Sequence, residues 1–231
     1  MPGDLVELRV INDMQVSPGG ERLVMLLCAV NHDHYAAVLD LHHPTPAVRL
    51  IADHVRCSAF VVSPEWDHIA TYSQPLAELK LWSIEGSHET VVFQKAGRPV
   101  FTLDGDYMVY VDSAEIVVAY SLRGMAPRFR VNLRGAGQLT AVPVHRRTVL
   151  VTVTADSSPS AAGVSVYSWR FGREDSQLRL LVRGVAASGL ADVSKDGVLA
   201  VDRLLQVFEV STGLIVSRFW PMGGAGTWSF S

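Results

Sequence analysis

A histidine-rich stretch, NHDHYAAVLDLHHP from Asn31 to Pro44, holds four of the eight histidines of the chain. Histidine is the commonest metal ligand and can transfer protons near neutral pH, so this stretch is the first candidate for a metal site. The residues between the two histidine pairs predict a β-strand. A strand from His34 to His42 would be roughly 26 Å long at about 3.3 Å per residue, so the two pairs cannot bind one ion.

His32 and His34 alone remain as weak metal candidates. Two ligands are fewer than a zinc site in a protein needs. We therefore predict that both are exposed turn residues and that the chain holds no metal and no cofactor. A pH-dependent contact with a partner is the alternative.

A second feature is the absence of acidic residues between Ile116 and Ala155. Six arginines lie in this segment, and they are Arg123, Arg128, Arg130, Arg134, Arg146 and Arg147. They predict a positive region on a chain whose net charge is −3. A solvated outer face is the simplest interpretation, a docking patch for an acidic protein segment is the functional one, and contact with nucleic acid is the least favoured. Trp66, in the turn SPEWDH, is predicted to be exposed and to anchor a partner.

Composition indicates a folded protein. Of the 231 residues, 48% are apolar and 19% are charged, which is the balance of a soluble globular chain. The longest apolar run, LVMLLCAV, is far shorter than the roughly 20 residues that span a bilayer. Cys28 and Cys57 are too few for a disulfide scaffold and are predicted to be small apolar fillers. We therefore expect a cytoplasmic protein without a membrane segment.

Five short segments of the same pattern recur along the chain: VLDL, LWSI, AYSL, VYSW and VFEV. Their second positions are Leu39, Trp82, Tyr120, Tyr167 and Phe208, with a mean period of about 42 residues. Each is flanked by apolar runs and turn residues, which predicts four short strands per repeat and an all-β fold. The predicted repeats span about 14–53, 54–96, 97–133, 134–182 and 183–220.

The segments VSPEWDHIATYSQPLAELKLWSIEG and VSKDGVLAVDRLLQVFEVSTG resemble the blades of the WD-repeat β-propeller family, to which quinoprotein-like propellers are related. The resemblance implies a β-propeller of about five four-stranded antiparallel blades plus an incomplete sixth, and the propeller is expected to be open. It also implies a non-catalytic scaffold that binds protein partners within a larger intracellular protein.

The two ends of the sequence match single strands of the repeat. Residues 5–10 resemble a fourth strand and residues 227–231 resemble a first strand. We expect these segments to belong to an incomplete blade, and the remainder of a longer parent chain to complete the propeller.

An enzyme is the second class considered, either a hydrolase or a lactonase with its site at the channel of a propeller. Such a site would need acidic or histidine ligands at equivalent turn positions of several repeats. Those positions hold Asp104, His145 and the serines Ser17, Ser63 and Ser194, a mixed set that argues against a metal centre. The chain also lacks a Gly-x-Ser-x-Gly, His-Glu-x-x-His or phosphate-loop motif, so we predict that it is not an enzyme.

Overall fold

The computed structural model describes residues 8–29, 34–42, 48–53, 56–86, 89–113, 115–142, 146–154, 164–172, 176–185, 190–194, 199–202 and 206–218. Every regular element in these residues is a β-strand, and the strands form five four-stranded antiparallel sheets. In each sheet, strands that are consecutive in the chain pair with each other. The predicted all-β class with five such sheets is confirmed. This described part of the chain has no helix long and apolar enough to cross a bilayer.

The chain divides into two compact units, Met1–Pro99 and Val100–Ser231. The first unit contains two sheets. The first sheet is formed by β1 (Leu8–Val16), β2 (Arg22–Ala29), β3 (His34–Asp40) and β4 (Val48–Asp53). The second sheet is formed by β5 (Ala59–Val62), β6 (His68–Ser73), β7 (Glu78–Ser83) and β8 (Glu89–Gln94).

The second unit contains three sheets. The third sheet is formed by β9 (Val100–Phe101), β10 (Tyr107–Val111), β11 (Ile116–Ser121) and β12 (Ala126–Asn132). The fourth is formed by β13 (Ala136–Ala141), β14 (Thr148–Thr154), β15 (Val164–Arg170) and β16 (Gln177–Val185). The fifth is formed by β17 (Leu190–Val193), β18 (Leu199–Asp202), β19 (Gln206–Glu209) and β20 (Ile215–Arg218).

The burial pattern of a strand depends on its position in the sheet. The two central strands of the third sheet, β10 and β11, are buried almost throughout because both of their faces are covered. The edge strand β12 is different, since Phe129 and Val131 are half-buried while Arg128 and Arg130 between and beside them are exposed. Such alternation is expected of a strand with one face toward solvent.

Consecutive sheets within a unit share an apolar core. In the first unit, one core joins Val24, Leu26 and Ile51 of the first sheet to Phe60 and Trp82 of the second. In the second unit, one core joins the third and fourth sheets and another joins the fourth and fifth. A four-stranded meander covered by its neighbour in this way is built like the blade of a propeller.

The same turn joins the first two strands in four of the five sheets. The hydroxyls of Ser17, Ser63, Thr102 and Ser194 each accept a hydrogen bond from the backbone N–H five residues further along, at 2.9 to 3.1 Å. The backbone N–H of each also donates to the carbonyl of that later residue. In the fourth sheet Val142 takes this place and donates to the carbonyl of Thr148, so its turn is one residue longer. The turn therefore provides a fixed point for aligning the sheets.

This alignment corrects one of the five repeat positions. Leu39, Trp82, Tyr120 and Phe208 all lie on the third strand of their sheet, opposite the residue six places after the turn hydroxyl. In the fourth sheet the residue opposite Val149, which directly follows the longer turn, is Trp169. Trp169 is fully buried, whereas Tyr167 is half-buried. The prediction of Tyr167 at this position is therefore wrong by two residues.

The first sheet extends further toward the N-terminus than expected. Leu8 and Val10 pair with Ala29 and Cys28, so they belong to β1 rather than to a strand of a further blade. Two register shifts, after Leu8 and after Ile11, let the strand continue through the polar pair Asn12 and Asp13. Residues 5–7 and 227–231 lie outside the described residues. The other sheets fall within the predicted repeats, except that β16 runs to Val185.

Candidate functional site: an arginine-lined groove

A groove of about 720 Å³ lies in the second unit, where turns of the third and fourth sheets meet. We call it the arginine groove. Its lining residues are Asp104, Asp106, Arg123, Arg146, Arg147, Thr148, Arg170, Phe171, Gly172 and Gln177. Four arginines against two aspartates leave two positive charges, so the groove favours an anion.

The groove is built from equivalent turns of two sheets. Asp104 and Asp106 lie in the turn between β9 and β10, and Arg146 and Arg147 lie in the turn between β13 and β14. Arg123 belongs to the turn that follows β11. Since the first turn and the third turn of a meander lie at the same end of the sheet, these residues converge there.

Arg147 bridges the third and fourth sheets. Its Nε lies 2.8 Å from Asp104 Oδ2, and its Nη2 lies 2.8 Å from Asp106 Oδ2. Its guanidinium carbon is also 5.2 Å from the centre of the Tyr107 ring. An arginine held by two carboxylates and an aromatic face is fixed in one orientation, because its planar fork matches these partners. Arg147 is therefore already occupied, and it acts first as a support for the groove.

An aromatic cluster lies beneath Arg147. Phe171 is buried and contacts Tyr107, Phe129 and Trp169, with ring centres 5.4, 5.5 and 4.6 Å away. Trp169 Nε1 donates to the Ser176 hydroxyl at 2.9 Å, just before β16 begins. This packing gives the positive groove a rigid floor, since each buried ring removes a large apolar area from water.

The ionisation of Asp104 depends on its partners. Burial raises the pKa of its carboxyl, but hydrogen bonds from the Thr102 hydroxyl and the Arg147 guanidinium outweigh this effect and hold the pKa below its ordinary value. The hydrogen bond to Asp104 is in turn the main cause of a raised pKa for Arg147. The pair is therefore charged throughout the neutral range.

The other three lining arginines are held by fewer contacts than Arg147. Arg123 pairs with Asp106 Oδ1 at 2.9 Å, but its side chain is 86% exposed. Arg146 and Arg170 are exposed, and neither has an ion-pair partner among the residues that the structure describes. These two guanidiniums are the cations that remain available to a ligand.

The backbone places Arg146 and Arg170 close together. Thr148 pairs with Arg170 across β14 and β15, and Phe171 N donates to Arg147 O at 3.1 Å. The chain before Thr148 therefore runs beside the chain after Arg170. Gly172 continues this second segment, and a Cβ added to it would meet no atom within 4 Å. The space beside the two arginines is open.

The structure separates the six predicted arginines into two groups. Arg123, Arg146 and Arg147 line the groove. Arg128 and Arg130 are exposed on β12, with the Arg128 guanidinium beside Gly124 in the turn of Arg123. Arg134 is exposed in the turn between β12 and β13, at the other end of these strands. The arginines of the acid-free segment therefore do not form one positive patch. Asp104 and Asp106, in the turn between β9 and β10, neutralise part of their charge.

The prediction for Trp66 is wrong. Trp66 is only 9% exposed and belongs to the core shared by the first and second sheets. Its backbone has a φ of 57°, and its N–H donates to the carbonyl of Ser63, so the turn folds the ring inward. A buried ring cannot anchor a partner.

The histidine prediction is tested only in part. His42 follows the end of β3, so a strand does separate the two clusters. His34 is the first residue of β3 and pairs with Cys28, so the prediction of a turn position for His34 is wrong. His32 and His43 lie outside the described residues. Among the residues that are described, no group of three or more His, Cys, Asp or Glu side chains is arranged to hold a metal ion.

Neither Cys28 nor Cys57 forms a disulfide within the described part of the chain. Cys57 is buried, and this burial raises the pKa of its thiol to about 11. It is therefore a protonated thiol at neutral pH and is a poor nucleophile.

Sequence reasoning missed Arg170 and the role of the two aspartates. Arg170 lies outside the acid-free segment, and its place in the groove follows only from the pairing of β14 with β15. The sequence places Asp104 at a turn position of the repeat, but it does not predict the contact with Arg147, which is 43 positions away. The repeat period of about 42 residues is the signal for this contact. Residues about one period apart lie in equivalent turns, and equivalent turns of neighbouring repeats lie side by side.

Comparison of the sequence with models of known protein families finds no match. A search of curated proteins likewise finds no significant match.

Proposed function

We propose that this chain is a non-catalytic protein-interaction module of the WD-repeat type, and that the arginine groove docks an acidic segment of a partner protein. The observation that carries the proposal is a groove in which two guanidiniums, of Arg146 and Arg170, have no ion-pair partner among the described residues. We further propose a cytoplasmic location, which suits a chain with only two cysteines.

The groove suits a short acidic segment for electrostatic reasons. Arg147 is fixed by Asp104 and Asp106, so Arg146 and Arg170 are presented from a preorganised surface. Fixed groups bind more tightly than mobile ones, because less side-chain entropy is lost on binding. Carboxylates of a partner would form charge-assisted hydrogen bonds with the two guanidiniums.

A protein partner is preferred to nucleic acid. Nucleic-acid surfaces are usually extended basic stripes that follow many phosphates. Here the arginines are divided between a groove that two aspartates border and separate exposed positions on β12 and in the turn after it, and the net charge of the chain is −3. Such a distribution would repel a long polyanion away from the groove.

The test is binding of a fluorescein-labelled dodecapeptide of alternating Asp and Gly, followed by fluorescence polarisation. We expect the double variant Arg146→Glu/Arg170→Glu to weaken binding by about tenfold or more, because two attractive contacts become repulsive. The matched control is Arg130→Glu/Arg134→Glu, which makes the same charge change at exposed arginines that do not line the groove.

The control separates docking from general electrostatics. Equal loss in both double variants would mean that only the net charge matters, and it would overturn the proposal. Tighter binding of a single-stranded RNA of the same charge, with loss in the groove variant, would favour the nucleic-acid alternative instead.

A further inference from the structure

We infer that the ligand of the arginine groove is a phosphorylated serine or threonine within that acidic segment, bound between Arg146 and Arg170. This inference rests on the proposed docking function and names the group that the groove selects. Three observations carry it: the charge left over in the groove, the spacing of its two unpaired arginines, and the open space at Gly172.

The charge of the groove matches a dianion. Asp104 and Asp106 offset two of the four lining arginines, through Arg147 and Arg123. Among the described lining residues, the two positive charges that remain are those of Arg146 and Arg170. A phosphoryl group carries about −1.5 to −2 at neutral pH and offers three acceptor oxygens, whereas a carboxylate carries only one charge. One phosphoryl group can therefore neutralise both guanidiniums, which a single Asp or Glu cannot do.

The backbone geometry allows both arginines to reach one group. Arg147 O accepts a hydrogen bond from Phe171 N, so the segments carrying Arg146 and Arg170 are paired neighbours. Arg170 pairs with Thr148, so Arg146 is its diagonal neighbour, at a backbone distance of roughly 7–8 Å that two extended arginine side chains can span. The planar forks of two such arginines can each donate two hydrogen bonds to different oxygens of a tetrahedral anion.

Gly172 provides room for the ligand. A Cβ at this position would contact nothing within 4 Å, so no side chain of the described part of the chain fills the space next to Gly172. A side chain added here would enter the groove without disturbing the packing of the sheet. Gly172→Glu thus places a carboxylate where the phosphoryl group is expected, and it competes with the ligand at little cost in stability.

The experiment compares three fluorescein-labelled dodecapeptides of Asp and Gly that differ only in a central phosphoserine, glutamate or serine. We expect the full chain to bind the phosphoserine peptide about tenfold more tightly than the glutamate peptide. Arg146→Glu/Arg170→Glu and Gly172→Glu should each abolish this preference. Arg130→Glu/Arg134→Glu should keep it, and circular dichroism melts should show that all variants are folded.

Each result has a distinct meaning. Equal affinity for the phosphoserine and glutamate peptides, with both lost in the groove variants, would overturn this inference but keep the acidic docking function. Failure of all three peptides to bind would overturn both. Displacement of the phosphoserine peptide by inorganic phosphate at a concentration near the peptide's own dissociation constant would assign the groove to free phosphate and overturn the inference.

Discussion

Arg147 is the residue on which the shape of the arginine groove depends. It joins Asp104 and Asp106 of one sheet to the turn of the next and lies over the ring of Tyr107. The sequence predicted Arg147 as part of a positive region, but it did not predict that two carboxylates would pair with the Arg147 guanidinium. Local composition reports net charge, whereas the pairing of side chains 41 and 43 positions apart depends on the fold.

We predict that Arg147→Met destabilises the second unit by about 1 to 2 kcal/mol at neutral pH, because it removes two charge-assisted contacts and leaves Asp104 half-buried without its cation. Arg123→Met is the matched control. Arg123 is far more exposed and has one ion pair, so its loss should cost less than about 0.5 kcal/mol. Urea unfolding of both variants and the native chain measures the difference, and equal losses would contradict the bridging role.

The same pair predicts a dependence on pH. The pKa of Asp104 is lower in the folded chain than its ordinary value of 3.8, so its contribution to stability is present above that value and is lost as the pH falls further. The stability difference between the native chain and Arg147→Met should therefore be constant from neutral pH to about 5 and shrink below about 4. A difference that disappears between pH 7 and 6 would point to another group.

Among the elements, the fourth sheet shows the limit of repeat analysis. Tyr167 and Trp169 are two residues apart on β15 and therefore point to the same face. An alternating pattern cannot distinguish alignments that differ by two residues, because each places an aromatic residue on the core side. The longer turn between Val142 and Thr148 decides the register, and no pattern of apolar residues reports it.

The turn before β20 yields a sharp test of packing between the fourth and fifth sheets. Gly213 has a φ of 75°, and a Cβ there would lie 2.0 Å from the carbonyl oxygen of Leu181 on β16. We predict that Gly213→Ala destabilises the chain by about 3 kcal/mol or more, because two backbones must separate.

Gly20 is the control for Gly213. Its φ is 71°, but a Cβ there would meet nothing within 4 Å. Gly20→Ala should therefore cost only about 1 kcal/mol, the strain of a left-handed backbone without a clash. Denaturant titration of the two variants compares them, and similar losses would show that the close approach of Gly213 to Leu181 is absent in solution.

At the scale of the molecule, repetition accounts for the part of the fold that could be predicted. Five sheets arise because the sequence repeats a four-strand pattern, and consecutive sheets within each unit bury a shared core. The site was less predictable, because a groove between sheets is formed by residues from different repeats. Three of the six predicted arginines line the groove, whereas Trp66 is buried in the core between the first and second sheets.

Hydrogen–deuterium exchange of the full chain, with and without a saturating phosphoserine dodecapeptide, tests most directly whether the arginine groove is the docking site. We predict slower exchange in the turns that form the groove, at residues 102–107, 146–148 and 170–172, and no change at residues 63–68 or 133–136. Slower exchange centred on residues 126–134, or unchanged exchange in the groove at saturation, would contradict the account.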